Sequence, residues 1–371
     1  TTLKVAGHDV YLLCSNTKKN RRNELIDGIH ILRLPYVENR LFNFVISSPF
    51  YLNPFWLKMV KRVVREKKIE LIIVRDLPLI LIGLIISKQY NISIILDMAE
   101  NYPAMYWQRF KKGIVSVLKN WFAKNPYIIS YVERYSTKRV DHVFVVVKES
   151  EERLISAGVD KNKISIVSNT PDLKTLEGTK KVDKRNYLQI VYVGFIQEGR
   201  GLDTVINSLS RLRDRSFPIR FVVIGGGNYL HQLKALTIKQ DVEEMVEFMG
   251  WIKNTSIPQY IYGSDIGVIP HQKTDHTDTT IPNKLFDFMA CGKPVIVSNA
   301  KPLKRIVEEE QCGLVFESGN SESFIAAIER IIHNPAMARD MGLRGRRSVE
   351  RKYNWGNDSF VLKKTIDNLI S

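Results

Sequence analysis

The sequence predicts an α/β protein of two doubly wound, Rossmann-like domains facing each other across a cleft. Three observations carry this expectation. Short apolar, β-branched runs alternate with helical stretches. The alternation stops at a polar segment, residues 173–186, and then restarts. The length, 371 residues, is enough for two domains at about 150 residues each.

Taken in order, the chain opens at 1–8 with what reads as the last turn of a helix, followed by a strand at 9–14. A fold seldom starts there, so an upstream segment is expected to precede it. Further strands are expected at 71–74, 93–97, 142–147 and 163–167, with helices between them. After the polar segment, strands are expected at 188–193, 219–224, 246–248, 266–269, 294–297 and 313–316. Apolar strands separated by helices imply parallel sheets covered on both faces. The stretch from Met337 onward reads as helix with a break at Tyr353-Asn354-Trp355. The expected division is a first domain over 1–172, a connection over 173–186, a second domain over 187–345, and a tail over 346–371 packing back on the first domain.

Composition excludes several classes. Hydrophobic residues make up 44% and charged residues 25%, which fits a globular chain and not a disordered one. The three cysteines, Cys14, Cys291 and Cys312, share no close spacing, so neither a disulfide scaffold nor a Cys-built zinc site is expected. The longest apolar run, 77–86, is too short for a membrane span of roughly twenty residues.

Net charge is +16, and residues 1–170 carry +12 of it (27 Lys/Arg against 15 Asp/Glu). A basic half implies an anionic partner. No nucleic-acid motif is present, so nucleic acid is not expected to be that partner. Two basic amphipathic helices refine the point. In 54–68, Phe55, Trp56, Met59, Val60, Val63 and Val64 fall at helical spacing opposite Lys58, Lys61, Arg62 and Arg65; this reads as a core-packed helix with a solvated basic face. In 106–124 the aromatics exceed what a core stripe needs, and Trp107, Phe110 and Trp121 are candidates for contact with an anionic membrane surface or the acceptor; the ordinary alternative is again a helix packed on a sheet with a solvated basic face.

Three motifs carry chemistry. Residues 192–203 (YVGFIQEGRGLD) read as strand, glycine loop and helix. Gly194 lets backbone N–H groups approach a phosphate, and Arg200 adds a bidentate contact. Residues 221–228 (FVVIGGGN) end a strand on three glycines, of which Gly225 is the candidate for close approach. The dinucleotide spacing G-x-G-x-x-G is not met, which disfavours a nicotinamide cofactor. In 278–298 (DTTIPNKLFDFMACGKPVIVS), Pro282 suits the first turn of a helix starting near Thr280 and running to about Ala290. Its start gathers Thr279, Thr280, Asn283 and Lys284. Lys284 is a candidate diphosphate contact. Asp287, three residues on along the same face, is suited to accept from ribose hydroxyls. The ordinary alternative is a capped helix with a surface Lys and Asp.

These motifs together resemble the retaining glycosyltransferases of family 4, in the form found in bacterial surface-polysaccharide enzymes. The carriers are YVGFIQEGRGLDTVI, FVVIGGGN, VEFMGWIKNTSIPQYIYGSDIGVIP and PNKLFDFMACGKPVIVS, with GHDVYLLC, ILDMAENYP and VDHVFVVVKESEERLISAGVDKNKISIVSNTPD in the first half. The resemblance covers nearly the whole chain and implies the GT-B architecture. It implies Asp287 on the ribose, Arg200 on the donor diphosphate, Lys284 at the phosphate-facing helix start, the Trp251-Ile252 backbone against the base, and Gly194 in the phosphate loop. It also implies no metal or other cofactor, and no established side-chain nucleophile; Asp97 and Glu100 are the acidic candidates from the first domain. The sequence departs from the family pattern at Thr279 (for an acid), Ala99 (for a His) and Phe195 (for an Arg), and the family's first strand and Gly-rich loop are not seen.

The expected function is therefore sugar transfer from a nucleotide-diphosphate sugar to a hydroxyl of a lipid-linked saccharide, in the cytoplasm at the inner membrane face, for surface polysaccharide synthesis. Two other readings stay open. One is a degenerate chain that binds nucleotide or serves as a partner subunit. The other is a nucleotide-sugar 2-epimerase, against which stands the lack of a His/Glu/Asp cluster.

Overall fold

The computed structural model describes residues 1–49, 51–111, 125–176, 186–215 and 217–370, the side chains of 109–111 excepted. Cα packing divides the chain into two units, Thr1–Val167 with Ser359–Ser371, and Ser168–Asp358. Of the expected connection 173–186, residues 177–185 lie outside the described residues.

The first unit holds two sheets. Between residues 9 and 71, where the alternation implies one strand and then helix alone, the chain also forms a β-hairpin. β1 (Tyr11–Cys14) pairs parallel with β3 (Ile29–Arg33), and β3 pairs antiparallel with β2 (Asn23–Ile26). The reason is the Asp27-Gly28 turn, whose φ values of 50° and 75° are those of a two-residue hairpin loop.

β4 (Leu71–Arg75), β5 (Ser93–Met98), β6 (His142–Val145) and β7 (Ile164–Ile166) form the other sheet, pairing in that order, all parallel. The small mixed sheet is separate from it, so the first half is not one continuous parallel sheet. Buried β-branched side chains such as Ile94, Ile95, Val143 and Val145 explain why these runs are apolar throughout. Helices Pro54–Lys67 and Pro126–Thr137 each open on an Asn followed by Pro: Asn53 accepts from Phe55 N, and Asn125 accepts from Tyr127 N. The first of these helices buries Trp56, Met59, Val63 and Val64; of the expected apolar stripe, Val60 is half-buried and Phe55, in the first turn beside the exposed Leu52, is exposed.

The second unit holds β8 (Leu188–Val193), β9 (Ile219–Ile224), β10 (Val246–Gly250), β11 (Ile266–Ile269), β12 (Val295–Ser298) and β13 (Gly313–Phe316). They make one six-stranded parallel sheet in the order β10-β9-β8-β11-β12-β13. Renumbered from β8, this is the doubly wound order 3-2-1-4-5-6, in which the direction of winding reverses between β8 and β11. At that reversal the loops following the two strands lie side by side at the carboxyl edge of the sheet, joined by Gln272 N donating to Gly199 O. Gly267 permits tight layering here: a Cβ on it would lie 2.3 Å from the Phe288 ring.

The C-terminal stretch forms helices Pro335–Arg351 and Trp355–Ile370, broken at 352–354. Ile366 is buried with Ile95 and Phe144 of the first unit's parallel sheet. Ser93 Oγ donates to Leu369 O at 2.9 Å.

Candidate functional site

In the second unit, the loops after β8, β9, β10 and β11 converge on the carboxyl edge. The glycines are there because backbone meets backbone. Gly194 N donates to Ile224 O (2.9 Å) and Gly225 N to Gly250 O (2.8 Å). Gly225 has φ +132°, and a Cβ on it would lie 1.9 Å from Gly194 O. Above this stack sits Trp251, 71% exposed, its indole covering Gly226. Its ring centroid is 6.1 Å from that of Phe195, also exposed. Ile252 follows, partly buried. Phe195, which stands out in the sequence only as a departure from an expected Arg, thus forms an aromatic pair with Trp251.

Arg200 lies in the loop after β8, and His271 follows β11. They meet at the reversal point: Arg200 Nη1 is 3.2 Å from His271 Nε2 and 3.3 Å from Nδ1. The guanidinium therefore lies against the imidazole. His271 is buried, and burial, then Arg200, then His276 hold its pKa well below the usual histidine value. It is neutral at physiological pH and supports the guanidinium without opposing its charge. Gln272 N donates to Gly199 O at 2.9 Å, tying the two loops together. The contact joins residues 71 apart in sequence. No local pattern signals it, and His271 is not among the site residues that the sequence suggests.

The segment leading to Lys284 departs from expectation. The helix does not start at Thr280; it spans Lys284–Ala290, seven residues. Residues Thr277–Thr279 form a separate 3-10 turn, and Thr280 is extended at φ −137°, ψ 163°. The residue before a proline is disfavoured in the helical region, and Ile281 precedes Pro282. Thr279 Oγ1 donates to Asp275 O (3.0 Å) and His276 O (3.1 Å), and Thr280 Oγ1 to His276 O (3.2 Å). Their hydroxyls close the turn on itself. Asn283 occupies the cap position without a side-chain capping bond and is exposed. Lys284 Nζ and Asp287 Oδ2 are 2.8 Å apart. The two residues share a face as expected, but they pair with each other. A helix this short contributes little dipole charge at its start.

In the first unit, Asp97 lies near the end of β5, and Glu100 follows in the next loop. Arg75, at the end of the neighbouring β4, places Nη1 2.5 Å from Asp97 Oδ2. Asp76 comes next with φ 64°, a left-handed conformation in which its N donates to Asp97 O (2.8 Å) and its Oδ1 accepts from Ala99 N (3.2 Å). Burial pushes the Asp76 carboxyl above its ordinary value, partly offset by Arg75. Tyr102 is raised by burial and then by Asp76. Arg75, Asp76 and Tyr102 carry no signal in the sequence; the pairing arises because β4 and β5 are in parallel register, Arg75 opposite Asp97.

Of the three aromatic candidates, Trp107 is partly buried and meets Tyr127 edge-on at 4.8 Å. Trp121 and the Phe110 side chain lie outside the described residues. Among the described residues, no three His, Cys, Asp or Glu side chains gather as a metal site, and no helix is long and apolar enough to cross a membrane.

Comparison with known proteins bears on the whole chain. Residues 1–175 match the glycosyltransferase family 4 profile, and residues 174–348 match that of the group 1 glycosyl transferases. The amylovoran biosynthesis glycosyltransferase AmsK of Erwinia amylovora is 24% identical over 205 residues, covering 55% of this chain and 50% of that protein. The chain thus spans about half the length of this curated relative. Sucrose-phosphate synthase from Thermosynechococcus elongatus superposes with a TM-score of 0.79 at 19% identity, over 99% of this chain and 90% of that one. Anabaena HepE in complex with UDP-glucose gives 0.71 at 15% identity, over 92% and 87%. The fold is accordingly GT-B. With the two profiles together accounting for residues 1–348, the chain belongs to the group 1, family 4 glycosyltransferases.

Proposed function

We propose that the protein transfers a sugar from a nucleoside-diphosphate sugar to a hydroxyl of a lipid-linked saccharide, with retention at the anomeric carbon, in surface polysaccharide synthesis. The observation that carries this reading is the meeting of Arg200 and His271 at the strand reversal of the second unit. Open α/β sheets bind ligands at that point. A guanidinium backed by a neutral imidazole, with Lys284 nearby in sequence beyond the same β11 loop, is a cationic seat for a diphosphate.

Each part then has a task. Gly194 and Gly225 keep the backbone low enough for a phosphate to approach. The exposed Trp251 and Phe195 rings offer a stacking face for a nucleobase, a contact worth about 1–3 kcal/mol in other base-binding proteins. Asp287, whose Oδ2 is partnered by Lys284, would accept from a ribose hydroxyl at its other oxygen. In the transfer, the bond from the anomeric carbon to the diphosphate oxygen breaks as the acceptor oxygen bonds to the same face. The acceptor proton passes to the departing diphosphate, whose charge Arg200 and Lys284 stabilise. Asp97 and Glu100, with Asp76 and Arg75, are the first unit's groups for holding an acceptor. UDP, the nucleotide carried by the HepE structures, is the first donor to try. The basic first half favours an acceptor borne on an anionic lipid at the inner membrane face.

A second reading, a nucleotide-binding partner without transfer activity, is favoured by one observation: Thr279 stands where the family places an acid, and its hydroxyl is engaged within its own turn. Thermal-shift screening against UDP-, GDP- and dTDP-sugars tests for the donor. One class is expected to raise the melting temperature by mass action, adding about 2.7 kcal/mol of stability at a hundredfold excess over Kd. Transfer to a lipid-linked oligosaccharide then separates the readings. Absence of any shift contradicts both.

A further inference from the structure

The helix Arg40–Ser47 turns most of its apolar side chains outward. It buries Asn43, Ile46 and Ser47, while Leu41 is 71% and Phe42 63% exposed, and Phe44 and Val45 are exposed as well. Polar bonding fixes this orientation. Asn43 Oδ1 accepts from Val37 N (3.1 Å) and Asn43 Nδ2 donates to Asn16 O (3.2 Å). Asn53 Nδ2 donates to Val45 O (2.9 Å) and Ser48 O (2.9 Å), and Trp56 Nε1 donates to Ser47 O (3.3 Å). The apolar side chains are therefore held outward by a buried polar network, and Leu52 and Phe55 add exposed apolar surface just beyond it.

The surroundings are basic. Residues 40–68 contain seven Lys/Arg and one Glu. Arg40 lies at the start of the patch, and Lys58, Lys61, Arg62 and Arg65 are exposed on the following helix. A water-soluble surface rarely keeps several large apolar side chains together without a use for them. Apolar tips rising from a cationic skirt fit the interface of an anionic bilayer, where the tips enter the acyl boundary and the cations meet lipid phosphates. An acidic protein would answer the charge but would not by itself require the apolar tips.

We propose that Leu41, Phe42, Phe44, Val45, Leu52 and Phe55 form the membrane-docking surface of the first unit, with anionic phospholipid as its partner. This places the apolar contact on the helix Arg40–Ser47 and the start of the helix that follows it, and not on residues 106–124. The inference deepens the reading of a lipid-borne acceptor and rests on it for its biological purpose, but the two fail separately.

The test is co-sedimentation of the full chain with vesicles of phosphatidylglycerol and phosphatidylethanolamine, against vesicles of phosphatidylcholine alone. Binding to the anionic vesicles is expected. Leu41→Ser with Phe42→Ser lowers the partition coefficient at least about tenfold through lost apolar burial. Lys58→Glu with Arg62→Glu lowers it further, by about fivefold or more per charge. Both side chains in the first variant are exposed, so its melting temperature and UDP binding stay at wild-type values. In a Phe42→Trp variant, brominated lipid quenches the introduced indole. Unchanged partition in the serine variant, or no quenching of that indole when the protein is vesicle-bound, overturns the proposal. So does concentration-dependent self-association through the patch with no vesicle binding. Vesicle binding through the patch without sugar transfer to any lipid acceptor leaves the docking surface standing and removes the acceptor assignment.

Discussion

Alanine at Gly225 and alanine at Gly226 perturb the same turn in different ways. At Gly225 the backbone has φ +132°, and the new Cβ falls 1.9 Å from Gly194 O. Neither the carbonyl nor the turn can move without breaking the Gly194 N to Ile224 O and Gly225 N to Gly250 O bonds. Strain of about 1–3 kcal/mol from the backbone conformation adds to a similar cost of overpacking. A loss of about 2–6 kcal/mol follows, or roughly 4–24 °C in the melting temperature of a unit this size. At Gly226 the Cβ instead falls 2.5 Å from Trp251 Nε1. That indole is largely exposed and can swing aside, so stability drops by less than about 1 kcal/mol. Its displacement removes the stacking face, and UDP affinity falls about tenfold, a lower-end stacking contribution. Scanning calorimetry and UDP titration on both variants give the answer. The reasoning is refuted if Gly225→Ala melts within about 2 °C of wild type, since a loss of at least about 2 kcal/mol corresponds to about 4 °C or more. It is equally refuted if Gly226→Ala loses as much stability as Gly225→Ala.

Two further outcomes follow from named contacts. Because the folded pKa of His271 is depressed, the unfolded chain takes up a proton below pH about 6.5 that the folded chain does not. The histidine's contribution is present above that pH and is lost as pH falls toward the folded pKa, with a slope up to about 1.4 kcal/mol per pH unit. Denaturant unfolding of the second unit is expected to show this slope, and His271→Asn to reduce it; an identical slope in the variant contradicts the assignment. Ile366→Ala, near the C-terminus, empties a site against Ile95 and Phe144. It is expected to cost about 2–4 kcal/mol and to lower the first unit's unfolding transition while leaving the second unit's in place, as followed by hydrogen exchange of β5 and β6.

The second unit is the more legible part of the sequence. Its strands at 188–193, 219–224, 266–269 and 313–316 are found at those bounds, because parallel strands buried on both faces are near-continuous apolar runs, broken here only near their starts by Gln189 and Arg220. The hairpin at Asn23–Arg33 escapes that reading, although Asp27-Gly28 is a strong turn signal: its strands are short and partly exposed, so their alternation is faint. The position of Lys284 and Asp287 on one face follows from spacing, but their mutual ion pair does not, since spacing does not fix side-chain direction. Pro282 has the look of a first-turn residue, which puts the helix start too early; the helix opens two residues after it, at Lys284. Arg200 on His271 and Arg75 on Asp97 are products of strand order and register. The helix Arg40–Ser47 is hidden for the opposite reason: of its apolar residues only Ile46 is buried, alongside Asn43 and Ser47, while Leu41, Phe42, Phe44 and Val45 face outward, against the rule by which core faces are found.

The central claim is that the second unit's carboxyl edge seats a nucleotide diphosphate on Arg200 and Lys284. Calorimetric titration of UDP into the wild type, Arg200→Ala, Lys284→Ala and a control, Lys304→Ala, tests it most directly; Lys304 is an exposed partner of Glu308 outside this site. The account predicts that the first two variants each lose about ten- to a hundredfold in affinity, the range for a charge-assisted hydrogen bond, while the control binds as the wild type does. Wild-type affinity in both Arg200→Ala and Lys284→Ala would contradict it.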